Sequence, residues 1–205
     1  MKEIKDNYAL RVTHSELVLA TGNPGKLQEM EVLLSPLSLG ELRITHCALR
    51  IDETGDTFLE NARIKAGAAL ALTALPSLAD DSGLAVDALG GAPGVRSARY
   101  GGEGLSASER NALLLKEMEG KENRAARFVC VLCCLFPDGR EIIAEGTCEG
   151  EILHEPRGTG GFGYDPIFFV PSLGRGMAEL SEAEKNKVSH RWKAVSDFLK
   201  QWNGM

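Results

Sequence analysis

The chain has 205 residues, 43% apolar and 25% charged, with a net charge of −6 and a pI near 5.3. That is the make-up of one globular domain, or of two small lobes sharing a core, and not of a disordered chain. The acidic balance excludes a protein that coats nucleic acid, which needs a broad basic surface against the phosphates. A polyanion could still be held by a few aimed cations, backbone amides and a metal.

Residues 1–14 mix charges with isolated apolar side chains, and hold neither a signal-peptide apolar stretch nor a bilayer-spanning run. They read as an N-terminal extension, with a single domain over 15–205. The five cysteines (Cys47, Cys130, Cys133, Cys134 and Cys148) suggest no disulfide framework, and a reducing cytoplasm is the simplest compartment. Cys130 and Cys133 form a CxxC, but they lie in an apolar, β-branched run. On a strand an odd separation sends two side chains to opposite faces, which argues against half a zinc site.

Leu17–Thr21 is a short apolar strand running into Gly22-Asn23-Pro24-Gly25-Lys26, after which Leu27, Met30, Leu33 and Leu34 fall at helical spacing. Thr57 and Glu60 form a capping box that opens an alanine-rich helix ending near Leu75, before Pro76. Leu78-Ala79 reads as the end of a strand leading into Asp80-Asp81-Ser82-Gly83, with a glycine-rich loop from Gly90 to Gly104. Ser106 and Glu109 cap a helix reaching about Met118. Ala126–Phe136 and Glu141–Cys148 flank a Pro-Asp-Gly turn and read as a hairpin. A second glycine-rich loop, Gly158–Gly163, precedes an apolar strand, Ile167–Val170. Ser181 and Glu184 cap a last amphipathic helix to about Trp202. Early alternation of strands and helices with a late hairpin predicts an α/β fold on a mixed β-sheet with flanking helices.

Four segments could carry chemistry. The turn at 21–26 is not a P-loop, because two residues separate its glycines and Leu27 follows the lysine. It still offers backbone N–H groups and a helix N-terminus to phosphate oxygens, with Lys26, Thr21 and Asn23 alongside; otherwise it is a turn with a solvated lysine. Gly158–Gly163 spells GxGxxG, but no helix follows, which rules out a dinucleotide fingerprint. Its glycines suit close backbone approach to a flat ligand, with Phe162 and Tyr164 beside it, unless those rings are core residues. Asp80 and Asp81, adjacent at a buried strand end, repel each other unless a cation holds them. A hard divalent metal such as magnesium suits them, with Asp52 or Glu53 as a second donor, although an aspartate bracing the loop is the plainer alternative. Finally, Lys187, His190 and Arg191 share a face of a continuous helix whereas Lys185 does not. A break near Ser189 would remove that restriction, and a solvated basic face remains the plain alternative.

Five ordered blocks taken together resemble the inosine triphosphate pyrophosphatase family, the hydrolases of non-standard purine nucleoside triphosphates. They are TGNPGK at 21–26, ETGDTFLENARIKA at 53–66, ADDSGLAVDALGGAPGVRSARY at 79–100, GTGGFGYDPIFFVP at 158–171 and AELSEAEKNKVSHR at 178–191. The N-terminal extension and the region of Met177 depart from the family pattern without touching a matched site residue. The resemblance implies an elongated α/β fold of two lobes around a nucleotide cleft, a cytoplasmic homodimer, and hydrolysis of ITP, dITP or XTP to the monophosphate and pyrophosphate. No nucleic acid or membrane partner is implied. By matched position, Thr21, Gly22, Asn23, Pro24, Gly25, Lys26 and Lys65 would hold the triphosphate. Asp81 would bind Mg²⁺ and accept a proton, with Ser82 beside it and Asp52 or Glu53 completing the metal site. Phe162, Gly163, Tyr164, Asp165, Lys185, His190 and Arg191 would line the base pocket. A Maf-like pyrophosphatase of other base specificity and a non-catalytic nucleotide sensor are the rival readings.

Overall fold

The computed structural model describes residues 16–38, 43–47 and 51–204. The N-terminal extension read at 1–14 lies outside them. The described strands form one seven-stranded mixed sheet: β1 (Glu16–Ala20), β2 (Arg43–Cys47), β3 (Ser77–Val86), β4 (Ala125–Leu135), β5 (Glu141–Ile152), β6 (Phe168–Val170) and β7 (Arg175–Gly176). Their order is β2-β1-β3-β4-β5-β6-β7. β1 runs parallel to both β2 and β3, and every later pairing is antiparallel. The α/β mixed sheet with flanking helices is therefore as the sequence implied.

Among the described residues five α-helices flank the sheet: α1 (Pro24–Ser38), α2 (Phe58–Thr73), α3 (Ala107–Glu117), α4 (Glu182–Val188) and α5 (His190–Asn203). The capping boxes at Thr57, Ser106 and Ser181 are all formed, with hydroxyl and glutamate each accepting a backbone N–H. On one face of the sheet, Leu17, Leu19, Leu78, Leu132 and Phe136 pack against Met30 and Leu34 of α1 and Ala194 and Phe198 of α5. Burying each large side chain contributes about 1.5–3 kcal/mol. On the other face Val18, Ala20, Ala79 and Cys133 meet Ala62, Ala66 and Ala69 of α2, whose small side chains let the helix lie close to the strands. Further along, Leu84, Val86, Phe128 and Phe168 pack with Leu114 and Met118 near the C-terminus of α3. Cys130 and Cys133 fall in the two different clusters, as an odd separation on a strand requires.

β5 runs past Cys148 to Ile152 and β6 starts at Phe168 rather than Ile167, and three further boundaries differ from the sequence reading for a physical reason. β3 does not end at Ala79 but continues through the two aspartates to Val86, pairing Asp80 with Leu132, Asp81 with Val131 and Ser82 with Cys130 of β4. Aspartate is depleted in strands, but here cations from the helices neutralise both carboxylates. α2 stops at Thr73 rather than Leu75, because Ala74 turns left-handed at φ 55° and its N–H bonds to the Leu70 carbonyl. The last helix is broken at Ser189, whose extended backbone ends α4 and whose hydroxyl accepts the Trp192 N–H to start α5. The shared face of Lys187, His190 and Arg191 therefore does not exist.

Candidate functional site

The site grows from the C-terminal ends of β1 and β3. After β1 the chain turns into α1, and Asn23 caps that helix: its Oδ1 accepts the N–H of Gly25 at 3.0 Å and of Lys26 at 3.2 Å. The Thr21 hydroxyl accepts the Asn23 N–H at 3.3 Å, and His46 Nε2 on β2 donates to the Thr21 carbonyl at 2.6 Å. Two of the donors expected to be free for an anion are thus occupied by the turn's own asparagine. An anion here would have to compete with Asn23, which is feasible because a phosphate is a stronger acceptor than a neutral amide.

Each of the adjacent aspartates is held by cations, as their closeness in sequence required, but not by one common partner set. The pleat sends them to opposite faces of the sheet. Asp80 points toward α1 and α5, where Lys26 Nζ lies at 3.0 Å and Arg191 Nη2 at 3.7 Å, and it accepts the Ser82 hydroxyl at 3.2 Å. Burial opposes its ionisation, but Lys26, Arg191 and Lys65 outweigh that and hold its carboxyl far below the usual carboxylate range. Asp81 points toward α2, accepting Lys65 Nζ at 3.3 Å and Asn61 Nδ2 at 3.2 Å. For Asp81 burial prevails over Lys65 and Lys26, and the carboxyl is raised above its ordinary value.

Lys65 also reaches Glu53 at 2.8 Å, so one ammonium joins two carboxylates. Burial raises Glu53, but Lys65, then Lys26 and Arg99, pull it below the ordinary range. Arg99 braces the same residue, its Nη1 at 3.4 Å from the carboxylate and its Nη2 at 3.3 Å from the carbonyl. Asp52 is exposed and borders the same cavity without sharing Lys65. Among the described residues no group of three or more His, Cys, Asp or Glu gathers as a metal cage. Two carboxylates, Glu53 and Asp81, share Lys65, and Asp52 borders the same cavity from its solvent side. This donor set fits a divalent, oxygen-seeking cation that takes its other ligands from water and from an anionic substrate.

Lys26, Lys65, Glu53, Asp81 and Ser82 border a cavity of about 530 Å³. Asn23, Pro24, Lys26, Ser82 and Ala98 are shared with a second cavity of about 350 Å³. Phe162, Gly163, Tyr164, Asp165, Lys185, His190 and Arg191 all line the second one, as the sequence reading grouped them, whereas Lys187 does not. The ring of Phe162 faces the ammonium of Lys185 at 4.7 Å and the guanidinium of Arg191 at 5.8 Å. Lys185 is held by Glu29 and Asp165, each at 2.7 Å, and Asp165 also accepts the Phe162 N–H at 2.8 Å. Tyr164 is a buried residue as well as a lining one, its hydroxyl donating to the Ser97 carbonyl at 2.9 Å.

Arg191 is committed more fully than its sequence neighbourhood suggests. It is 1% exposed, Nη1 pairs with Glu29 and Nη2 donates to the Ser82 hydroxyl at 3.1 Å, while Nε is buried without a partner among the described residues. His190 stacks on Phe128 with centroids 4.9 Å apart, and among the described residues its Nδ1 is also buried without a partner. Burial, then Arg191 and Lys185, push its pKa well below the ordinary value, so the imidazole is neutral. The start of α5 can hold these groups there because Gly146 of β5 has no side chain: a Cβ would sit 2.1 Å from the His190 carbonyl oxygen. Gly83 similarly admits the segment 94–97, where a Cβ would meet the Gly94 carbonyl at 2.4 Å.

Sequence reasoning missed Asn61, Arg99, Glu29, Phe128 and Arg110, all of which border or brace these cavities. Only Asn61 had a usable signal, since it lies four residues before Lys65 on one helical face. The others come from elements distant in sequence.

Fold and site define a class: an α/β protein whose mixed sheet holds an anion-binding end and a ring-lined cavity side by side. The model of the Ham1 family matches residues 17–201. A dITP/XTP pyrophosphatase of Synechocystis sp. is 48% identical over 190 residues, covering 92% of this chain and 96% of its own. One from Thermus thermophilus is 52% identical over 190 residues, covering 91% of each chain. Among solved structures, a HAM1 protein from Coxiella burnetii superposes with a TM-score of 0.83 at 44% identity, over 93% of this chain and 99% of that one. This chain belongs to the Ham1 family, and the resemblance carried by the five sequence blocks is borne out.

Proposed function

We propose that this protein hydrolyses non-canonical purine nucleoside triphosphates (ITP, dITP and XTP) to the nucleoside monophosphate and pyrophosphate, and so clears them from the nucleotide pool. The observation that carries the reading is the shared wall of the two cavities. Asn23, Pro24, Lys26, Ser82 and Ala98 border both, so a flat ring and a phosphate chain joined by a sugar can occupy them together. The family membership and the names of the relatives support the same substrate class.

In this mechanism Thr21–Gly25 and Lys26 receive the phosphate chain, with Asn23 giving up its cap to a stronger acceptor. Lys65 places a second positive charge beside the chain, where charge spreads as the anhydride bond breaks. Asp81 and Glu53 would hold a divalent cation, for which we propose magnesium; bound there it would supply charge neutralisation and a more acidic water. Asp81 orients the attacking water and accepts its proton, while Asn61, donating to its Oδ2 at 3.2 Å, fixes the carboxylate's rotation. Asp52 is kept as a solvent-side contributor. Phe162 offers a face for the purine, with Tyr164 and Gly163 closing the loop behind it. Neutral His190 and the Nε of Arg191 provide donors for an acceptor oxygen at position 6, where adenine carries an amine. Donors left unpaired by adenine would cost about 1–3 kcal/mol each.

Incubating the protein with a panel of purine and pyrimidine triphosphates, with magnesium or with a chelator, tests this. Single-turnover products separated by chromatography should be monophosphate and pyrophosphate, with ITP and XTP well ahead of ATP and GTP. Diphosphate and orthophosphate as first products would overturn the reading, and equal turnover of pyrimidine triphosphates would remove the purine assignment. The resemblance extends the proposal to a cytoplasmic homodimer, which light scattering of the eluted protein checks for assembly.

A further inference from the structure

The charged groups of the base cavity nearly cancel. Lys26, Lys185 and Arg191 are matched by Glu29, Asp80 and Asp165, each cation within ion-pair distance of at least one of these carboxylates. His190 is neutral. One further cation lines the same cavity from a different element, Arg110 on α3. Its Nη1 donates to the Leu105 carbonyl, and among the described residues it forms no ion pair. Its placement is built: Ala107, one turn earlier on the same helical face, lines the cavity as well. Next to it the buried Asn111 donates Nδ2 to the Gly163 carbonyl at 3.1 Å, which ties α3 to the loop carrying Phe162 and Tyr164. The exposed Glu109 feels the charge of Arg110 without pairing with it, so the guanidinium remains free to favour an acceptor or an anion in the half-enclosed cavity.

We infer that Arg110 is a specificity determinant of the base pocket, reading the purine edge at N3 and position 2, across the ring from the 6-oxygen, and favouring xanthine above hypoxanthine and guanine. The inference rests on the substrate class proposed above. Xanthine carries an oxygen at position 2, and its nucleotides readily lose the N3 proton near neutrality, which spreads negative charge over N3 and that oxygen. Hypoxanthine presents only a C–H at position 2, and guanine presents an amine, a donor facing a donor. Guanine also has the 6-oxygen, so His190 and Arg191 do not reject it. Arg110 supplies the missing discrimination at the other edge.

The experiment compares wild type with Arg110→Gln and Arg110→Lys for kcat/KM on XTP, ITP and GTP, and for calorimetric binding of XMP and IMP. Arg110→Gln should lower the XTP to ITP ratio by about 10- to 100-fold, the scale of losing one hydrogen bond to a charged group. Arg110→Lys, which keeps the charge, should retain most of the preference. An unchanged XTP to ITP ratio, including an equal fall on both substrates, would overturn the inference and leave Arg110 as a brace for the Leu105 loop. The two readings fail separately. If wild type hydrolyses neither triphosphate the proposed activity falls, while loss or retention of the XMP over IMP binding preference in Arg110→Gln still decides the role of Arg110.

Discussion

Replacing Asp80 by asparagine separates the two adjacent carboxylates most cleanly. The substitution keeps the shape and removes one charge from a position 1% exposed. Lys26 at 3.0 Å and Arg191 at 3.7 Å then lose a shared counter-charge. The two cations respond differently. The Lys26 side chain is 14% exposed and can swing toward water, whereas that of Arg191 is 2% exposed and must stay, with Glu29 as its remaining partner. Breaking a buried pair costs about 3–5 kcal/mol, and the escape of Lys26 places this variant near about 3. For a chain of this length each kcal/mol shifts the thermal midpoint by about 2–4 °C, so a fall of about 6–12 °C is expected. Turnover at saturating magnesium should suffer far less than in Asp81→Asn, because among the described residues Asp80 pairs directly with Lys26 and Arg191 and with neither Glu53 nor Lys65. Scanning fluorimetry and pyrophosphate release on the same preparation give both quantities. A midpoint within about 2 °C of wild type, or a turnover loss matching that of Asp81→Asn in a folded protein, would refute the reasoning.

Asp81→Asn should keep the fold and lose about 10²–10⁴ in kcat, the usual scale for an acid–base group; near-normal turnover at saturating magnesium would exclude the role. Gly146→Ala puts a Cβ 2.1 Å from the His190 carbonyl oxygen and 2.4 Å from the Ala194 nitrogen, both backbone. α5 must shift, at an overpacking cost of about 1–3 kcal/mol, and the ITP to ATP ratio of kcat/KM should narrow as His190 moves; a crystal structure with α5 unmoved would contradict this. Burial pushes the thiols of Cys130 and Cys133 up to about 12. Both should therefore resist a thiol-specific disulfide reagent at pH 8 until denaturant is added, and mass spectrometry of the labelled native protein checks it.

Much of this protein is local in its causes, and so was legible in its residues. Capping boxes at Thr57, Ser106 and Ser181 depend on residues three apart, and the Pro-Asp-Gly turn depends on adjacent ones, so each is where the spacing placed it. The grouping of Phe162, Asp165, Lys185, His190 and Arg191 was legible only through the co-occurrence of the five blocks, since no local signal joins a glycine loop to a helix start twenty residues on. What tertiary structure alone decided is where charge sits. Adjacent residues face opposite ways only while the strand continues, and with β3 read as ending at Ala79 nothing assigned the two aspartates to faces; pairing of β3 with β4 through Val86 is what gives Asp80 to Lys26 and Arg191, and Asp81 to Lys65 and Asn61. Gly146, more than forty residues away in sequence, lets the backbone of α5 lie against the sheet at His190 and Ala194, which no local signal in the last helix records. Arg110 is the clearest instance: an ordinary basic residue on an exposed-looking helix, distinguished only because every other cation in its cavity meets a carboxylate contributed by a distant element. Short-range hydrogen bonds and turns are set within a few residues along the chain, whereas electrostatic partnership is set by distance in space, which the sheet and its crossings determine.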